Sequence, residues 1–181
     1  MAFCGLAAAV FAPKNSVVIN GKAAISLAQK QKSTKSISEQ IKDPHCEDFP
    51  SLDILEVTHN NLANMGPGSG REGIEYHAKT WDGKEIYMDL HAKAAFKSDD
   101  PKDFGMHGAY GTINVAGNSE ARIEVSFRDF KTKKPALLDD FSLSFFDIDH
   151  GKGTNGLEAL TIEGDWSMAV VAKDTTVLVH H

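Results

Sequence analysis

From Leu52 onward apolar side chains recur at every second position, and that period of two is what strands with one buried face require. Leu55 and Val57 alternate with Glu56 and Thr58, Ile74, Tyr76 and Ala78 with Glu75 and His77, and Ile86, Met88 and Leu90 with Tyr87, Asp89 and His91. Further short apolar runs follow at 110–115, 123–127, 141–145, 160–162, 168–171 and 177–179. Turn residues separate them: Gly66-Pro67-Gly68, Trp81-Asp82-Gly83-Lys84, Asp99-Asp100-Pro101, Lys134-Pro135 and the glycine-rich stretch 151–156. Asp82-Gly83 predicts a tight hairpin. Many short strands with no long amphipathic helix between them predict an all-β, antiparallel sandwich of about nine strands, of jelly-roll or lectin-like kind. The last segment, 175–181, alternates without a closing loop, the pattern of an edge strand or of a longer protein cut short.

Charge divides the chain in two. Its 181 residues carry a net charge of −6, yet residues 1–42 hold six lysines against Glu39 alone, which gives +5 there and leaves −11 for the remainder. An acidic body repels phosphate backbones, so no nucleic-acid partner is expected. Residues 1–42 read as a targeting presequence or as a disordered or weakly helical tail, with a short helix conceivable over Ala23–Gln40, 43–51 as a linker and 52–181 as the folded domain. The apolar run Phe3–Ala12 is too short for a stable membrane span. Val10-Phe11-Ala12-Pro13, followed by a basic, serine-containing stretch, resembles the junction of the bipartite presequences of algae with complex plastids. That resemblance implies entry into the secretory pathway, with the plastid as destination; export from the cell is the alternative. Cys4 and Cys46 fall in the address and the linker, so the domain is expected to stand without a disulfide.

The densest chemistry lies in Phe145-Phe146-Asp147-Ile148-Asp149-His150, the glycine-rich stretch and Glu158. Phe141, Leu143 and Phe145 share a strand face, and Asp147 and Asp149 continue its parity beyond the core. Glu158 has the parity of Leu160 and Ile162. If the intervening stretch is a hairpin, three carboxylates converge at one rim, and their mutual repulsion calls for a cation. Oxygen ligands of this kind suit Ca2+, with Asn61 a further ligand by its parity with Leu55, Val57 and His59. Glu158 occupies the twelfth position counted from Asp147, as in an EF-hand, but the flanks read as strands and not helices. The alternative is that Asp147 and Asp149 are solvated turn residues. Together with Val57-Thr58-His59-Asn60-Asn61-Leu62 and Gly66-Pro67, this arrangement resembles little-characterised algal β-sandwich proteins. The resemblance implies a sandwich and supplies no substrate.

Motifs for nucleophilic or phosphate chemistry are missing, as are close histidine pairs of the zinc type. His77 and His91 share the outer parity of their hairpin and would face each other about a turn centred near Lys84. The chain is therefore expected to be a non-catalytic binding module with a calcium-type rim site. Carbohydrate is the expected ligand, because Trp81, Trp166, Tyr76, Tyr87 and Tyr110 offer stacking surfaces. The alternatives are a glycoside hydrolase using Asp147 and Glu158 as paired carboxylates, or an interaction domain without metal.

Overall fold

The computed structural model describes residues 7–11, 15–20, 23–28, 51–117, 119–138, 141–146, 159–163 and 166–171. Among them run twelve strands: β1 (Ala7–Phe11), β2 (Asn15–Asn20), β3 (Ala23–Ala28), β4 (Ser51–Asn61), β5 (Gly73–Thr80), β6 (Glu85–Ala92), β7 (Gly105–His107), β8 (Tyr110–Ile113), β9 (Glu120–Asp129), β10 (Ser142–Phe146), β11 (Ala159–Glu163) and β12 (Trp166–Val171). Every ladder between them is antiparallel. Helix is confined, among the described residues, to single 3-10 turns at Leu62–Asn64 and Pro101–Asp103.

The hydrogen-bonded order is β11-β2-β9-β6-β5-β4-β3-β10-β1-β12. It forks at β3, where Ala23–Ile25 pair with β8 and Leu27–Ala28 with β4. Eight of the expected strands are present as β4–β6 and β8–β12, whereas Val177–Val179 lies outside the described residues. The remaining four were not anticipated. β7 is three residues long and contains Gly105, too short for a period of two to register. β1–β3 fall in the segment expected to be disordered or weakly helical, and the first six residues of the conceived helix, Ala23–Ala28, are instead extended. Val17, Val18 and Ile19 are β-branched and find partners in β9 and β11, far away in sequence. Such long-range pairing overrides weak local preference.

The period of two places Ile74, Tyr76 and Ala78 of β5, Ile86, Met88 and Leu90 of β6, Ala121, Ile123, Val125 and Phe127 of β9, and Leu143 and Phe145 of β10 in one buried core. Complete burial of aliphatic side chains of this size contributes about 1.5–3 kcal/mol each. The β7–β8 hairpin closes over the same face. Tyr76 donates its hydroxyl to the Gly105 carbonyl at 2.7 Å, and a Cβ on Gly111 would stand 2.9 Å from that hydroxyl. Burial pushes the Tyr76 phenol up, so it remains a hydrogen-bond donor.

Strand β4 departs from simple alternation. Leu55 is the extra residue between the pairs Ile54↔Ala78 and Glu56↔His77, and Thr58 is the extra residue between Val57↔Tyr76 and His59↔Glu75. Each bulge reverses the face of all that follows. Leu52 and Ile54 are consequently buried and Leu55 is exposed, the opposite of the core face expected for Leu55.

The β5–β6 turn also differs in register from the expectation. Gly83 N–H bonds to the Thr80 carbonyl, Thr80 N–H bonds to the Lys84 carbonyl, and Gly83 has φ of 86°. This is a loop of three residues ending in a left-handed glycine, centred on Asp82. His77 therefore faces Tyr87, and His91 stands beside Gly73, so the expected His77–His91 pair does not form.

Removing the Tyr76 hydroxyl leaves the Gly105 carbonyl without its donor in a buried position. Tyr76→Phe is expected to lower unfolding free energy by about 1–2 kcal/mol in urea titration. An unchanged midpoint and slope would show that the hairpin is held without this bond.

Candidate functional site

Asp147, Asp149 and Glu158 lie outside the described residues. The strands on either side of them are described, and β10 and β11 do not pair: β10 lies between β3 and β1, and β11 lies on β2. The two strands are thus not the arms of a hairpin, on which the argument for convergence had relied. Leu143 and Phe145 do point into the core, as the parity required.

Asn61 is buried and committed to its own loop. Its Nδ2 donates to the carbonyls of Gly70 at 3.0 Å and Arg71 at 3.3 Å, and its Oδ1 accepts from Gly66 N–H at 3.1 Å. Glu72 braces the same loop from the other end. Its Oε1 accepts from Ala63 N–H at 2.8 Å and Ala92 N–H at 3.1 Å, and its Oε2 lies 3.1 Å from His91 Nδ1. Between these braces Ala63 and Asn64 have φ of 52° and 61°, a conformation that side chains other than glycine rarely adopt. No group of three or more His, Cys, Asp or Glu suited to a metal ion occurs among the described residues.

The aromatic residues separate by environment. Tyr76 is core and offers no stacking surface. Tyr87 is half-buried within the sheet's outer face, Tyr110 is exposed, and Trp81 is 55% exposed at the tip of the β5–β6 turn. That turn is held tightly beneath the indole. Thr80 Oγ1 donates to an Asp82 carboxylate oxygen, with the Lys84 carbonyl also 3.0 Å away, and it accepts from Lys84 N–H at 3.0 Å. The Thr80 bond is the main cause that holds the Asp82 carboxyl below its usual range.

The outer face of β5, β6 and β9 leads to this tip in three rows set by register. Glu75 faces Asp89, His77 faces Tyr87 with Arg128 beyond, and Lys79 faces Glu85, whose carbonyl accepts from Phe130 N–H at 3.3 Å. In the first row Asp89 is only 2% exposed although it lies opposite the core. Arg128 covers it as a fork, Nε to Oδ2 at 2.6 Å and Nη2 to Oδ1 at 2.7 Å, and Nη2 also meets Glu75. Arg71 reaches Glu75 Oε2 at 2.5 Å. Planar guanidinium suits such two-point contact with carboxylates.

Burial alone would raise the Glu75 carboxyl. The Thr58 hydroxyl, the Arg128 guanidinium and the charge of Arg71 outweigh it and hold the group below its ordinary value. In the second row the His77 ring stacks on Phe130 with centroids 4.1 Å apart, and Glu56 Oε1 stands 3.5 Å from its Nδ1. Lys133 Nζ donates to the Tyr87 hydroxyl at 2.7 Å and sits 4.2 Å from that ring's centroid. The alternating pattern had marked these residues only as solvent-facing. Their assembly depends on which residues face one another across strands, and the turn centre at Asp82 decides that.

Loss of Arg128 leaves the buried Asp89 with only the longer contact from Arg71 Nη1 at 3.8 Å. Breaking a buried pair costs about 3–5 kcal/mol, and the lower part of that range is expected for Arg128→Met because the arginine is partly exposed. A urea midpoint within error of wild type would show that Asp89 is solvated. The lowered Glu75 carboxyl sets a sign for pH. Its stabilising contribution is complete above the ordinary value of 4.5 and is lost as pH falls through the lower folded value. Glu75→Gln is therefore expected to flatten the loss of stability below that pH, and an unaltered acid limb would contradict the assignment. Against family models, curated proteins and solved structures the chain finds no match, so the site is read from its own geometry.

Proposed function

We propose that the chain is a non-catalytic carbohydrate-binding module, a sandwich of jelly-roll or lectin-like kind whose ligand meets the turn end of β5 and β6. The observation that carries the reading is Trp81. An indole more than half exposed, on a turn whose polar groups are satisfied internally, is a pre-organised stacking surface that loses little entropy on binding. Lys79 and Lys84, exposed on either side of the turn, add hydrogen-bonding groups of the kind sugar hydroxyls use.

A calcium-type site formed by Asp147, Asp149 and Glu158 belongs to the same proposal. It is supported by the inward parity of Leu143 and Phe145 ahead of Asp147 and by the oxygen-rich composition of 147–158. Asn61, with its amide bound to the 66–71 backbone, is left out of that ligand set. For residues 1–42 we propose delivery through the secretory pathway to a plastid, on the resemblance of Val10-Phe11-Ala12-Pro13 to a presequence junction. Removal of that segment would strip β2 from the edge of β9 and β3 from β4, β8 and β10, so processing and the mature sheet are linked.

Oligosaccharide titration followed by tryptophan fluorescence tests the main reading. Binding is expected, with Trp81→Ala weakening it at least about tenfold, the equivalent of roughly 1.4 kcal/mol of lost stacking. Binding unaffected by that substitution would refute the Trp81 site. Calcium titration is expected to release or absorb heat in the wild type and to be silent in Asp147→Ala; a silent wild type removes the metal. N-terminal sequencing of the natural protein is expected to begin after Ala12 or near Asp43, and Met1 on the mature form would contradict delivery.

A further inference from the structure

The sheet end that presents Trp81 also carries five exposed lysines on two adjoining turns, in a chain whose net charge is −6. The β5–β6 turn and the next turn, 129–134 after β9, lie side by side because β6 pairs with β9 and Phe130 N–H bonds to the Glu85 carbonyl. Lys79 and Lys84 come from the first hairpin, and Lys131, Lys133 and Lys134 from the second; all five are exposed. Strands are spaced by about 4.8 Å, so the lysines spread over about 10 Å from β5 to β9, with the indole at one side.

The acidic residues of the same end are Asp53 and Glu85, which face Lys79 from β4 and β6, and Asp82 and Asp129, which are bound within their own turns. Asp82 accepts from Thr80, and Asp129 Oδ1 accepts from Lys131 N–H at 3.1 Å, Thr132 N–H at 2.8 Å and Thr132 Oγ1 at 2.9 Å. These bonds, those from Thr132 first, hold the Asp129 carboxyl below its usual range. Glu85, opposite Lys79 in the register, also brings Oε1 to 4.0 Å from His77 Nε2. Among the described residues none of the five lysines forms an ion pair. The backbone of the second turn is also fixed: Asp129 N–H bonds to the Lys134 carbonyl, Lys133 N–H bonds to the Asp129 carbonyl, and Lys133 holds φ of 59°.

We infer that this end binds an anionic polysaccharide, with sulfate or carboxylate groups meeting Lys84, Lys131 and Lys134 while a sugar ring stacks on Trp81. The inference rests on the carbohydrate reading above and names its ligand class. The ammonium groups of Lys84, Lys131 and Lys134 are exposed and form no ion pair among the described residues, and their separation across two turns fits repeated charges along a chain. A lipid surface is the poorer occupant. Trp81 is the only large apolar side chain exposed at these two turns, since Leu55 lies in the first bulge of β4 and Leu137 lies beyond the bridge from Arg128 to Pro135. Membrane docking calls for an apolar face and not for one ring.

Dextran and dextran sulfate share a backbone and differ in charge, so the full chain is titrated with each. Dextran sulfate is expected to bind at least about tenfold more tightly than dextran and to weaken steeply when sodium chloride rises from about 50 mM to about 200 mM. The pair K131Q/K134Q is expected to remove most of that preference with an unchanged urea midpoint, because both side chains are exposed and neither forms an ion pair among the described residues. Equal, Trp81-dependent binding of the two polymers would overturn the charge inference and leave the carbohydrate reading standing. Binding of neither would overturn both. Tighter binding to phosphatidylserine vesicles or to polyuridylate than to dextran sulfate would overturn the choice of ligand.

Discussion

The register of β5 against β6 is the constraint from which the rest of the surface follows. Three loop residues, Trp81, Asp82 and Gly83, centre that register on Asp82, with glycine taking the left-handed position that closes the turn. Had the loop been longer by four, the pairing would be centred on Lys84 and His77 would face His91. With the observed centre, Asp89 stands opposite Glu75, and both lie within reach of Arg128 on β9. The same closure leaves the indole of Trp81 outside, with its turn braced from beneath by Thr80.

Both faces of these strands are structured, for different reasons. The inner face excludes water by packing Ile74, Tyr76, Ile86, Met88 and Leu90 under the β7–β8 hairpin. The outer face buries a carboxylate, Asp89, and compensates for its desolvation with a two-point guanidinium contact. Toward the turns the outer face passes from ion pairs, through the stacked His77 and Phe130, to exposed lysines and an exposed indole. Rigid sheet thus gives way to fixed turns that carry exposed polar and aromatic groups, the usual division between scaffold and binding loop.

The inner face was legible in the amino-acid sequence because burial imposes a period of two, and β5, β6, β9 and β10 follow it without interruption. β4 misled because Leu55 and Thr58 are bulged, and a bulge leaves no mark in composition. The outer network was not legible. Glu75, Asp89 and Arg128 are separated by up to fifty-three positions, and only cross-strand register joins them. The expectation of converging carboxylates depended on β10 and β11 forming a hairpin, whereas each pairs with a strand from the N-terminal segment. Trp81 was visible as an aromatic residue, but its separation from the buried Tyr76 needed the fold.

The central claim is that the paired turns 80–84 and 129–134 form the ligand surface. Backbone amide shifts of the full chain, followed by nuclear magnetic resonance during titration with a sulfated dextran oligosaccharide, test it most directly. The account predicts saturable shifts confined to those two turns and the adjoining ends of β5, β6 and β9, together with a shift of one indole N–H. Shifts centred on the braced loop 62–73 or on 147–158, with the two turns unmoved, would contradict it.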